Sequence, residues 1–137
     1  MQLPEQTSDD TTGALPGAPE QADNDLRVWR ERLRVFRTER GWQRFHNPKN
    51  LVMALAGEVG ELIEPFQWLT PDEAQSLTDE VRAEVALEMA DVLFYLITLA
   101  DACNVDLAAA ARRKLALNAE RYPVDKVFGR ATKYDRL

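Results

Sequence analysis

From Asp25 onward, apolar residues recur at helical spacing in block after block, and no stretch alternates long enough to read as a strand. No Asn-Gly or Asp-Gly hairpin turn is present. Such a chain can bury its apolar residues only by packing helix on helix, so the fold class is all-α. Local signals set the boundaries. Asp25 caps a helix to about Arg40, with Leu26, Trp29, Leu33 and Phe36 on one stripe and Gly41 ending it. After a loop from Trp42 to Asn47, the pair Asn47-Pro48 opens a second helix, expected to reach about Trp68. Thr70-Pro71-Asp72-Glu73 is a capping box opening a short helix to about Leu77. Thr78 caps the next, which runs to about Cys103 and is apolar nearly all round from Val92 to Ala100. A helix like that is buried inside the domain or in a subunit interface. Asp106 caps a last helix from Leu107 to about Arg121, stopped by Pro123.

The organisation is therefore a tail over residues 1–24, a helical domain over 25–123 and a C-terminal arm over 124–137 that mixes basic and aromatic residues. The tail has almost nothing apolar to bury and is expected to be disordered. It also carries five carboxylates and no Lys or Arg, so most of the formal net charge of −6 describes the tail rather than a binding surface. No basic patch marks nucleic acid as a partner. No apolar run reaches membrane-spanning length, and no basic segment followed by an apolar stretch marks a secretory signal. A lone cysteine, Cys103, forms no disulfide within the chain and fits a cytoplasmic protein.

Two helices carry acidic residues where a buried face is expected. The second reads Glu58-Val59-Gly60-Glu61 and the fourth Glu88-Met89-Ala90-Asp91. A spacing of three puts each pair one turn apart on one side of its helix, where like charges repel unless something neutralises them. On a surface helix such a pair is ordinarily just solvated. Here the flanking residues are apolar, Leu55, Val59 and Leu62 around one pair and Leu87, Met89 and Val92 around the other, which favours a shared cation. Four carboxylates without Cys or His make a hard, all-oxygen site suited to Mg²⁺ or Mn²⁺, completed by water and substrate phosphates. The single histidine, His46, rules out the paired Glu-x-x-His motifs of a di-iron bundle. With the second helix continuous, Asn50, Glu58, Glu61, Pro65 and Trp68 share one sector, and Glu84, Glu88, Asp91 and Tyr95 form one line on the fourth. Each acidic stripe then ends in an aromatic, which is what a charged centre beside a flat pocket requires.

At these residues the chain resembles the MazG-like all-α nucleoside triphosphate pyrophosphohydrolases, whose signature is E-x-x-E followed after a spacer by E-x-x-D; among them it looks most similar to the dCTP pyrophosphatases. The strings that carry the resemblance are Trp42 to His46, Pro48 to Asn50, Gly57 to Leu62, Phe66-Gln67-Trp68, Asp91 to Tyr95, Lys114 with Asn118, Arg121-Tyr122-Pro123 and Lys133-Tyr134. The resemblance implies a four-helix-bundle-like fold and Mg²⁺ held by Glu58, Glu61, Glu88 and Asp91. It also implies a nucleotide pocket of Trp42, His46, Trp68 and Tyr95, with Lys114 and Asn118 meeting phosphates or sugar. The implied assembly is a homodimer or a homotetramer of paired dimers, and the implied task is removal of dCTP-like triphosphates. Two features depart from the pattern: Pro65, which should kink or end the second helix, and a compact spacer between Glu61 and Glu88.

The expected reaction is metal-assisted hydrolysis of a deoxynucleoside triphosphate to monophosphate and pyrophosphate, with Glu61 accepting or aligning the proton of the attacking water. Lys114, Arg121 and Lys133 are candidates to balance phosphate charge. The alternative is a catalytically silent helical oligomer that binds nucleotide or regulates. Trp29, Phe36, Met53 and Phe94 lie at core spacing. Glu64 and Glu84 read as solvated or as carboxylates supporting the centre, and His46 as a pocket residue or a loop stabiliser.

Overall fold

Asp25 turns the chain into its first helix, its carboxylate accepting from the Arg27 amide at 2.9 Å, and α1 runs Leu26–Glu39. The computed structural model describes residues 25–131 and 133. The expected tail lies outside the described residues, as do 132 and 134–137 of the expected arm. Gly41 leaves α1 at φ 62°, a left-handed conformation that costs glycine nothing, and a 3₁₀ turn follows at Trp42–Arg44. Then come α2 (Pro48–Ile63), α3 (Pro71–Gln75), α4 (Asp79–Ala102), α5 (Leu107–Arg121) and a last short helix, α6 (Val124–Val127). Asn47, Thr70, Thr78 and Asp106 each cap with the side-chain oxygen the sequence places there, and Thr70 with Glu73 forms the full capping box.

One boundary differs from expectation. α2 ends at Ile63, well short of Trp68. Pro65 has no N–H to give the Glu61 carbonyl, which instead accepts from the Glu64 amide at 3.1 Å, and the chain continues in turns to Trp68. Trp68 therefore leaves the acidic sector on which it falls if the helix is drawn straight through.

α2 and α4 form the main packed pair, and α1 lies on α4. α4 ends in a Schellman motif that the sequence reading did not find. Asn104 sits at φ 60°, its amide donates to Asp101 O at 3.2 Å, and Val105 N donates to Ala100 O at 2.8 Å. Asparagine after a helix-end residue is the local signal for it. The chain leaves this cap sharply turned, with α5 at 101° to α4 and only sparsely in contact with the other elements.

The buried apolar residues are few: Leu51, Val85, Ile97 and Ala100, beside buried Thr98. Trp29 and Phe94 meet with ring centres 5.4 Å apart, as their core spacing predicts. Phe36 and Met53 do not join a core; they are 45% and 62% exposed. Phe36 instead lies edge-on to Trp42 with the Arg40 guanidinium over its ring. A three-helix layer covers only one side of each helix, which leaves the opposite apolar stripes open. Leu93 and Leu96 on α4, and Leu115 on α5, are exposed for the same reason.

Asp101 joins α1 to α4. Its carboxylate accepts from Nε and Nη2 of Arg34 and from Nη2 of Arg37 at 3.0 Å, and both Arg37 and Asp101 are largely buried. The Arg34 and Arg37 guanidiniums hold the Asp101 carboxyl below its ordinary range despite its burial. A depressed folded pKa means the contribution is complete above the unfolded value, near 4, and is lost as pH falls through the folded value. Asp101→Asn should lower stability by roughly 1–3 kcal/mol at neutral pH, and the deficit should shrink on acidification. Thermal melts of both proteins at neutral pH and below pH 4 measure it; an equal deficit at both would remove the charge from the account.

Candidate metal centre

Glu58 from α2 and Glu88 and Asp91 from α4 converge so that one carboxylate oxygen from each lies within 4.8 Å of the others. The i, i+3 spacing sets Glu88 and Asp91 on one side of α4, and the α2–α4 packing brings Glu58 against them. Glu58 and Glu88 are half-buried; Asp91 is exposed. Glu61, one turn beyond Glu58, lies outside this trio, yet its charge acts on both Glu58 and Glu88.

Burial, and after it the neighbouring carboxylates, pushes both Glu58 and Glu88 above the usual glutamate range. Among the described residues the charged groups acting on them are carboxylates; for Glu88 these are Glu61, Asp91, Glu84 and Glu64. The Oε2 atom of Glu88 is buried with no hydrogen-bond partner. Such an oxygen is costly to desolvate unless a donor or a cation meets it. Hard oxygen donors, mutual repulsion and a buried oxygen without a partner together fit a small divalent cation.

The same repulsion predicts how the metal-free protein responds to pH. A folded pKa raised above the unfolded value means the native state holds more protons, so stability falls as pH rises between the two values. Glu58→Gln should therefore gain thermal midpoint over the parent protein in EDTA, little near pH 4.5 and more toward neutrality. Melting curves at the two pH values check this; a gain independent of pH would mean that repulsion is not what destabilises the site.

Tyr95, one turn beyond Asp91, lies near enough to the centre for burial, then the charges of Glu58 and Asp91, to raise its hydroxyl pKa. Glu64 and Glu84 remain exposed but lie near enough to act on Glu88, so they belong to the acidic surround rather than to distant solvated faces. Trp68, carried off by the break at Pro65, is 86% exposed.

The Trp42–His46 segment is pinned at both ends. Gln43 donates to the Thr38 hydroxyl at 2.7 Å, and the Asn50 side-chain amide donates to Phe45 O at 3.0 Å. Asn50, which sequence reasoning placed in the acidic sector and in the Pro48 to Asn50 string, thus ties this loop to the start of α2. Its position three residues after the Asn47 cap was the available signal. Trp42 stands edge-on to Phe36 and 6.1 Å, centre to centre, from the His46 ring. Burial, then the charge of Arg37, lowers the His46 pKa, and its Nδ1 is buried without a partner. The ring is therefore neutral near pH 7, with one nitrogen donating and the other accepting.

Lys114 and Asn118 share one side of α5, Lys114 exposed and Asn118 half-buried. Lys114 is not among the charges acting on Glu58 or Glu88 of its own chain. The direction of α5 sets the helix apart from the α2–α4 pair.

Residues 54–137 match the model of the MazG-like family. The chain is 44% identical over 128 residues to the rat protein named dCTP pyrophosphatase 1, spanning 91% of this chain and 73% of that protein. The human protein of the same name is 43% identical over 131 residues, covering 90% and 75% of the two chains. A crystal structure of a pyrophosphatase from Archaeoglobus fulgidus superposes with a TM-score of 0.66 at 36% identity, over 80% of this chain and 99% of that one.

Proposed function

The chain belongs to the MazG-like family, and from that premise we propose that it hydrolyses dCTP to dCMP and pyrophosphate at the centre formed by Glu58, Glu61, Glu88 and Asp91. The observation that carries this reading is the convergence of Glu58, Glu88 and Asp91 around the partnerless Glu88 oxygen. The expected ion is Mg²⁺, with Mn²⁺ as a substitute of the same ligand preference. When bound, it neutralises charge developing on the phosphates and lowers the pKa of a coordinated water.

The chain's own residues then divide the work. Glu58, Glu88 and Asp91 hold the ion. Glu61, beside the trio rather than within it, is assigned to accept the proton of the attacking water or hold that water in line. Trp42, His46, Trp68 and Tyr95 are assigned to the base and sugar. The neutral His46 is assigned to the polar edge of cytosine through its other ring nitrogen, and the aromatic rings to excluding water. Lys114 and Asn118 are assigned to the phosphates. The sharp turn of α5 away from α4, and the open apolar faces of α2, α4 and α5, support a homodimer or paired dimers as the working form.

The deciding experiment measures pyrophosphate release from dCTP, dUTP, dTTP and dATP with Mg²⁺ and with EDTA. The expected result is Mg²⁺-dependent release, largest for dCTP. Release that persists in EDTA would remove the metal from the mechanism, and equal kcat/KM across bases would remove the cytosine preference.

A further inference from the structure

A cavity of about 930 Å³ opens on the far side of the fold, among the first turns of α1, the end of α4 and the start of α5. It belongs to a different part of the molecule from the carboxylate centre: Asp101, on its wall, stands ten residues along α4 from Asp91, roughly 15 Å at the rise of an α-helix. Its size falls within the range of small-molecule sites. Four guanidiniums line it, those of Arg27, Arg30, Arg34 and Arg112, contributed by two different helices.

The wall also carries Asp25, Asp101 and Asp106, and each of these carboxylates is already engaged. Asp25 pairs with Arg27 through Nε and Nη2. Asp101 takes Arg34 and Arg37. Asp106 caps α5 by accepting from the Ala109 amide at 2.9 Å. Two further cations on the wall make no hydrogen bond to these three carboxylates. Arg30 makes one contact at 3.2 Å, from Nε to Glu31, so both its Nη groups remain available. Arg112 is exposed and forms no ion pair among the described residues. Among the donors left in the cavity are those of two guanidiniums, on α1 and on α5. Planar guanidiniums of this kind match the oxygens of a phosphoryl group, which can accept from both at once.

We propose that this cavity is a second anion site, taking a phosphoryl group between Arg30 and Arg112 and so joining α1 to α5 through the ligand. The phosphoryl group can come from free pyrophosphate or from the phosphates of a nucleotide. The site stands whether or not the catalytic reading does, because none of its residues belongs to the carboxylate centre.

Calorimetric titration with inorganic pyrophosphate in EDTA tests it. Without a divalent cation the carboxylate centre repels the anion, and binding that the two arginine substitutions weaken while Lys114→Gln leaves it unchanged reports the cavity. The expected result is one pyrophosphate per chain, weakened at least about tenfold by Arg112→Gln and by Arg30→Gln and unchanged in Glu58→Gln. Affinity should fall with added salt. Circular dichroism checks that the Arg30 and Arg112 variants keep their fold. Parallel titrations with dCMP and dCTP distinguish the sources: affinity matching pyrophosphate assigns the phosphates alone, and tighter nucleotide binding assigns the base as well. Absence of pyrophosphate binding in EDTA overturns the site, as does binding indifferent to both arginine substitutions.

Discussion

Glu58→Gln and Asp91→Asn are each expected to reduce dCTP turnover by more than about a hundredfold, a loss of transition-state stabilisation of roughly 2.7 kcal/mol or more. Each change keeps side-chain size nearly constant and removes one charge from a cluster whose members repel. Activity and metal-free stability should therefore move in opposite directions: turnover collapses while the midpoint in EDTA holds or rises. Adding Mg²⁺ with nucleotide should raise the midpoint of the parent protein by mass action and do little for either variant. Glu61→Gln should differ in kind. It lies outside the converging trio, so kcat should fall while nucleotide binding is largely kept. Near-parental activity of Glu58→Gln or Asp91→Asn at saturating Mg²⁺ would mean that the centre is assigned to the wrong residues.

Trp68→Ala is expected to raise KM for dCTP about ten- to a hundredfold, the loss of roughly 1–3 kcal/mol of base stacking, and to change kcat much less. Stacking is shared by ground and transition states, so its removal appears in binding. The structure makes this a clean experiment. Trp68 follows the break at Pro65 and is 86% exposed, so its ring has little packing to lose within the chain. Trp42→Ala is the useful comparison, because that ring packs edge-on against Phe36 and its removal also loosens the His46 loop. Trp42→Ala should therefore lower the thermal midpoint as well as raise KM. Steady-state kinetics on the four dNTPs, with melting curves alongside, separate the two. An unchanged KM in Trp68→Ala would assign the base to the Trp42–His46 side alone.

What the amino-acid sequence determined by itself was local. The caps at Asp25, Asn47, Thr70, Thr78 and Asp106 were all legible, because an N-cap depends on one side chain and an amide two or three residues away. The all-α class followed from periodicity, and the acidic pairs from a spacing of three that needs only helical geometry. The stop caused by Pro65 was legible too, since the missing N–H is a property of the residue, but a stripe drawn straight on to Trp68 ignored it. The tertiary structure decided the rest. Glu58 meets Glu88 and Asp91 because α2 packs on α4, while Glu61 on the same sector of α2 stays outside the trio. Core spacing in Phe36 and Met53 marked an apolar stripe without saying whether anything would cover it. Lys114 and Asn118 were read correctly as neighbours on one helix side, but the cap at Asn104 sent that helix off at 101°. A helix repeats every 3.6 residues whatever surrounds it, whereas the partner its face meets depends on contacts between residues far apart in the chain, which no local pattern encodes.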